Sequence, residues 1–208
     1  MQIAIPVFDG ITALDAVGPY EVLARIPGAE VLWVAPERRP HVADRGLTIS
    51  STATLDEVRS PDVVVVPGGE GNRALMRDEL FLAWLRAAHE RTRWTTSVCT
   101  GALVLGAAGI LDGVRATTHW GYVDELAALG AIAVSDERVV EEGKILTAAG
   151  VSAGIDMALA LVARLTVPEV AQAIQLGIEY DPQPPYDTGS VAKAGPELAA
   201  LVRSVGFD

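Results

Sequence analysis

The chain contains one cysteine, Cys99, in the stretch TTSVCTGALVLGAAGIL. A lone thiol is either a small buried hydrophobe or a nucleophile, and its surroundings discriminate between the two. The β-branched run WTTSV leads directly into Cys99, and Gly101 opens a helical pattern with almost no gap. A strand-to-helix turn this sharp holds its side chain in a strained, exposed position, as the G-x-S-x-G elbow holds serine. Gly101 and Ala102 are small enough to permit the turn. The free N–H groups at a helix start favour a thiolate, so Cys99 is expected to titrate below the free value of about 8.5. A cysteine that only packed in the core would not need a turn at this edge, and the nucleophile reading is preferred.

Three further positions carry candidate chemistry. The run DVVVV ends at PGGEGN, where Gly68 and Gly69 give a backbone free to aim N–H groups at a developing negative charge. A plain turn using glycine for its backbone angles explains the same residues equally well. A phosphate cradle does not, because the chain lacks G-x-x-x-x-G-K-[ST]. Asp15, in FDGITALDAVGPYEVL, is expected in the loop after the first strand, with Pro19 in the first turn of the helix that follows. A carboxyl there can transfer protons beside a thiol, but without a partner motif an ordinary helix-flanking acid satisfying backbone N–H groups is the preferred reading. His119, in RATTHWGY, is the one histidine expected near a strand end on this edge. Spacing alone does not bring it to Cys99, and capping or packing explains it equally well. His41 and His89 stand among polar residues and read as surface positions.

These residues need a scaffold that gathers strand ends. QIAIPVF, EVLWVA, DVVVVP and RWTTSV are short apolar runs, separated by patterns of helical period such as LDAVGPYEVLARI and DELFLAWLRAAHERT. Nearly continuous hydrophobic strands alternating with helices predict a doubly wound α/β sandwich with a mainly parallel sheet. In such a sheet, ligands collect outside the carboxyl ends of the strands, where Cys99, Gly68, Gly69 and Asp15 all fall. ERVVEEGKILTAAG reads as a hairpin around Glu142-Gly143, lying against the main sheet. Helices are expected from near Val151 and after Pro168. The proline-rich stretch 181–190, DPQPPYDTGS, reads as an extended arm before a short final helix, GPELAALVRSV. With no repeat, low-complexity tract or long linker, 1–208 is expected to form one domain.

Bulk properties bound the partners. A net charge of −11 argues against nucleic acid or an anionic membrane as the main partner. The opening MQIAIPVF lacks the pattern of a signal peptide, so none is expected, and no apolar run is long enough to span a bilayer. One cysteine forms no intrachain disulfide, and a cytoplasmic location is expected. No H-E-x-x-H or C-x-x-C spacing suggests a metal.

LDAVGPYEVL, VVVPGGEGNRALM, TSVCTGALVLGAAGILDGVRATTHW, ILTAAGVSAGID and EYDPQPPYDTGS together resemble blocks of the DJ-1/PfpI superfamily. That superfamily has the class I glutamine amidotransferase-like sandwich with a cysteine on a nucleophile elbow, and the match spans nearly the whole chain. Within it, the similarity is greatest to the isocyanide (isonitrile) hydratases. PfpI-type proteases carry histidine directly after the cysteine, where this chain has Thr100. The DJ-1 branch carries glutamate where this chain aligns Asp15, and aspartate is the hydratase pattern. The resemblance implies a cofactor-free lyase that turns a small-molecule isocyanide into an N-substituted formamide through a Cys99 thioimidate. Asp15 would transfer protons, the N–H groups of Gly69 and Thr100 would meet developing charge, and the Thr100 hydroxyl would hydrogen-bond within the site. Val151 aligns with an apolar residue packed near the hydratase nucleophile, and a homodimer is implied. The same blocks occur in the ligand-binding half of AraC-type regulators, which continue into a helix-turn-helix region. With the chain ending at Asp208, no such region is expected. A redox or ligand sensor built on Cys99, or a glyoxalase-like or promiscuous hydrolase on the same scaffold, is the alternative.

Overall fold

In the computed structural model, residues 1–205 are described. The chain runs through β1 (Gln2–Pro6), α1 (Ala13–Leu23), β2 (Glu30–Ala35), β3 (Pro40–Val42), β4 (Thr48–Ser50), β5 (Ala53–Thr54) and β6 (Val63–Val66). It continues through α2 (Asn72–Leu75), α3 (Glu79–Arg91), β7 (Trp94–Val98), α4 (Gly101–Ala107) and β8 (Arg115–Ala116). A single 3-10 turn, Trp120–Tyr122, precedes α5 (Val123–Ala128), β9 (Ile132–Ala133), β10 (Val139–Glu142) and β11 (Ile145–Ala148). Helices α6 (Ala153–Leu165), α7 (Pro168–Gly177) and α8 (Val191–Val205) complete it.

Seven strands form one sheet in the order β10-β11-β7-β6-β1-β2-β5, parallel at every junction except β10–β11. The apolar character of the central strands follows from their position. Ile3, Ala4, Ile5 and Val63 to Val66 are wholly buried, covered on both faces as a parallel sheet requires. The order turns around at β1, with β2 on one side and β6 on the other. Right-handed crossovers in the two directions send α1 and α3 to opposite faces, and the reversal leaves a crevice above the ends of β1 and β6. Helices α1, α6 and α7 pack on one another as one layer, and α2, α3 and α5 gather around α4 as another. Asp78 starts α3 by accepting the N–H groups of Leu80 and Phe81 at 3.0 and 3.1 Å.

Four local expectations change. The β10–β11 hairpin does not lie against the sheet but extends it, because β11 pairs in parallel with β7, Ala148 opposite Val98. Pro19 sits in the middle of α1 rather than its first turn. Lacking an N–H, it leaves the Asp15 carbonyl without its usual helical donor. The small β3–β4 ribbon has no counterpart among the expected strands. Finally, α8 begins at Val191, ahead of the expected final helix, and is interrupted at Gly195, with φ +78 and ψ 167; its second part, from Pro196, is the helix that was expected. Residues 181–190 form no helix or strand and are exposed throughout. Among the described residues, no helix is long and apolar enough to cross a membrane.

Candidate active site

Cys99 follows the last residue of β7 and stands at φ +56. This left-handed conformation costs a residue with a Cβ on the order of 1 kcal/mol, so it must be held. Its N–H lies 3.1 and 2.9 Å from the carbonyls of Ala148 and Ala149, and its own carbonyl accepts from Thr118 Oγ1 at 2.9 Å. The turn is also pressed onto the end of β6. A Cβ at position 101 would sit 2.1 Å from the Val66 carbonyl oxygen, so only glycine can follow Thr100 here.

Asp15, placed in the first turn of α1 rather than the preceding loop, is completely buried. Its Oδ2 accepts the Gly68 N–H at 2.9 Å and its carboxyl faces the Cys99 thiol. Burial drives the carboxyl up to about 7, and a repulsion from Asp44 adds to it; the Gly68 N–H and the thiol only partly oppose this. The thiol is pushed up to about 12, first by burial and then by the charge of Asp15. The N–H groups of Val151 and Thr100 face the sulfur and pull the other way, but they lose. The expectation of a depressed thiol pKa is therefore overturned. Cys99 is only 6% exposed, and a seven-residue helix start does not offset desolvation beside a carboxyl.

Thr100 is buried beside this pair. Its Oγ1 accepts the Gly69 N–H at 3.0 Å and Asn72 Nδ2 at 3.1 Å. The N–H groups of Gly68 and Gly69 thus hold the Asp15 carboxyl and the Thr100 hydroxyl. Gly68 has no room for a side chain: a Cβ would lie 2.7 Å from Asp15 Oδ2, Thr100 N and Thr100 Oγ1 alike. Val151, at φ +26, forms the turn before α6 over the sulfur.

A cavity of about 710 Å³ opens from Cys99, Thr100, Gly69, Asn72 and Val151. Leu14, Met76, Leu103 and Tyr122 supply apolar wall, and His119 lines it as well. The His119 ring packs against Trp120 and Tyr122, and its Nδ1 accepts the Gly121 N–H at 3.3 Å. The β3–β4 ribbon brings Asp44 and Arg45 to the rim, tied down by Thr12 Oγ1 on Asp44 at 2.7 Å and by Asp44 N–H on the Ile11 carbonyl. Besides the cavity walls and Arg45, two polar residues that act on Thr100 and Asp15 had no place in the sequence-based site, Asn72 and Asp44. Asn72 ends the glycine-rich stretch, and a polar side chain buried there was the one available signal; nothing in the sequence pairs Asp44 with Asp15. His41 and His89 are not surface residues. His41 is 2% exposed on β3, and burial depresses its pKa. His89 is half-buried, with Nδ1 2.8 Å from Thr95 Oγ1. Neither lines the cavity. Among the described residues, no group of three or more His, Cys, Asp or Glu side chains could hold a metal ion.

The isonitrile hydratase of Pseudomonas putida is 47% identical over 190 residues, 91% of this chain and 83% of that protein. The HTH-type transcriptional regulator CdhR of Pseudomonas aeruginosa is 30% identical over 171 residues, 80% of this chain but 50% of the regulator. A crystal structure of a ThiJ/PfpI family protein from Pseudomonas syringae superposes with a TM-score of 0.94 at 40% identity, covering 98% of this chain and 85% of that one. Oxidized DJ-1 from Toxoplasma gondii, at 24% identity and a TM-score of 0.77, shares the fold. The family model for DJ-1/PfpI matches residues 1–164, which hold the elbow, the glycine-rich loop and Asp15, and the chain belongs to the DJ-1/PfpI family.

Proposed function

We propose that this protein is an isocyanide hydratase, adding water to R–N≡C to give the formamide R–NH–CHO without a cofactor. The observation that carries the reading is the buried Cys99–Asp15 pair in a chain 47% identical, over 91% of its length, to an isonitrile hydratase. The chemistry explains why the pair keeps a proton. The terminal carbon of an isocyanide must receive a nucleophile and then a proton at the same atom. An exposed thiolate supplies only the first, whereas a thiol beside a carboxyl titrating near 7 supplies both.

As the Cys99 sulfur bonds to carbon, its proton passes to the Asp15 carboxylate. Asp15 then delivers that proton to the same carbon, giving the thioimidate R–N=CH–S. Water adds to this carbon with the regenerated carboxylate as base. One water proton ends on nitrogen, the other returns to sulfur as the C–S bond breaks, and R–NH–CHO leaves. The Val151 and Thr100 N–H groups meet charge on sulfur, while Gly68 and Gly69 hold the acid and the hydroxyl in place. The apolar wall takes R.

The sensor reading asks for an exposed thiolate of low pKa, and Cys99 is neither exposed nor acidic. The same proposal places the chain in the cytoplasm as a homodimer acting on a small molecule. Leu198, Leu201 and Val205 leave an apolar stripe of α8 exposed, which a second copy would cover. Incubating the purified protein with an alkyl or aryl isocyanide tests the activity. Many equivalents of formamide per protein are expected, and stoichiometric thiol modification without turnover would overturn the reading in favour of the sensor.

A further inference from the structure

The Thr100 hydroxyl has two lone pairs and one proton. Both lone pairs are engaged, by the Gly69 N–H at 3.0 Å and by Asn72 Nδ2 at 3.1 Å. Only the proton remains to be offered. Asn72 is 2% exposed, yet its Oδ1 has no hydrogen-bond partner among the described residues. A buried amide oxygen left unpaired is costly, on the order of 1–3 kcal/mol, and calls for a ligand that completes it. Both residues are among those that line the cavity opening on Cys99. Neither Asn72 atom has a part in the proton transfers assigned to Cys99 and Asp15.

From this we infer that Asn72 and Thr100 form a subsite for the substrate nitrogen, with Asn72 fixing the direction in which the Thr100 hydroxyl points. The inference rests on the hydratase reading and specifies how that reaction's second atom is held. In the thioimidate the nitrogen is an acceptor, matched by the Thr100 O–H. In the hydrated adduct and the formamide it carries a hydrogen, matched by Asn72 Oδ1. One pair of side chains therefore serves both states without moving, and no proton is transferred through them. Asn72 is a positioning residue for Thr100 and, at the product stage, a direct acceptor.

The test compares a secondary formamide, the reaction product, with its N-methyl analogue, which lacks the N–H. Binding is read as protection of Cys99 from iodoacetamide in the whole protein. Wild type should favour the secondary formamide by about tenfold, the scale of one hydrogen bond. Asn72→Ala should erase that preference and lower kcat about tenfold while leaving the unprotected alkylation rate unchanged. Asn72→Asp, nearly isosteric, should keep the preference but lose turnover above neutral pH, because a carboxylate would accept the Thr100 proton and turn it away from nitrogen. The inference is overturned if wild type shows no preference, if Asn72→Ala retains it, or if Asn72→Asp turns over normally. Wild type that makes no formamide from isocyanide would instead overturn the hydratase reading, so the two failures are separable.

Discussion

Asp15 and Cys99 are each the wrong residue by ordinary values, a carboxyl near 7 and a thiol near 12, and burial accounts for both. Two outcomes follow for Asp15. In the proposed mechanism the Asp15 carboxylate takes the thiol proton, so kcat/KM should rise with pH through about 7 and then hold, since the thiol does not ionise until far higher. Stability should run the opposite way. The folded carboxyl titrates near 7 against 3.8 unfolded, so the folded state holds the extra proton between these values. Stability from this group is full below 3.8 and is lost as pH rises through 7. Asp15→Asn should therefore cost at least about a hundredfold in turnover. The same variant should be more stable than wild type by roughly 2–4 kcal/mol at pH 8, a gain that disappears near pH 4. Chemical denaturation at the two pH values reads it. The position of Cys99 at a strand end was legible from its neighbours, whereas Asp15 and Thr100 entered the candidate site only through the family resemblance and the two glycines read equally well as a plain turn. The direction of the thiol shift was not legible, since burial depends on Val151, Asp15 and the cavity wall arriving from distant segments.

At the level of elements, the site is a junction of four strand-to-helix turns, after β1, β6, β7 and β11, gathered at the carboxyl ends of neighbouring strands. Their tolerance is set by backbone contact rather than by side chains. Gly68→Ala would thrust a methyl group to within 2.7 Å of Asp15 Oδ2 and Thr100 Oγ1. It should lower kcat by about a hundredfold or more, while circular dichroism still reports a folded sheet. Gly101→Ala would strike the Val66 carbonyl at 2.1 Å and should fail to fold or lose several kcal/mol. The long apolar strands and helices could be read directly from period and composition. The β3–β4 ribbon could not, because PHV and TIS are too short and polar to signal strands, yet it carries Asp44 and Arg45 to the rim. Pro19 misled because proline is favoured in a first turn, but here α1 begins six residues earlier and Pro19 falls inside it.

Across the whole molecule, the least enclosed part is the carboxyl-terminal one. The exposed stretch 181–190 leads into α8, where Ala199 is buried and Arg203 stacks on Trp120 at 5.0 Å, leaving Leu198, Leu201 and Val205 outward. Leu201→Glu should convert a dimer to a monomer in sedimentation while leaving the Cys99 alkylation rate unchanged. A dimer that survives the charge would place the interface elsewhere. Sequence alone showed the arm but not this stripe, because an unpartnered face is visible only once the rest of the core is accounted for. The central claim is that the Cys99 sulfur adds to the isocyanide carbon. Rapid-quench mass spectrometry of the working protein tests it most directly. One adduct on Cys99, heavier by the whole mass of the isocyanide and decaying as formamide appears, is the predicted result; formamide production at the wild-type rate by Cys99→Ala would contradict it.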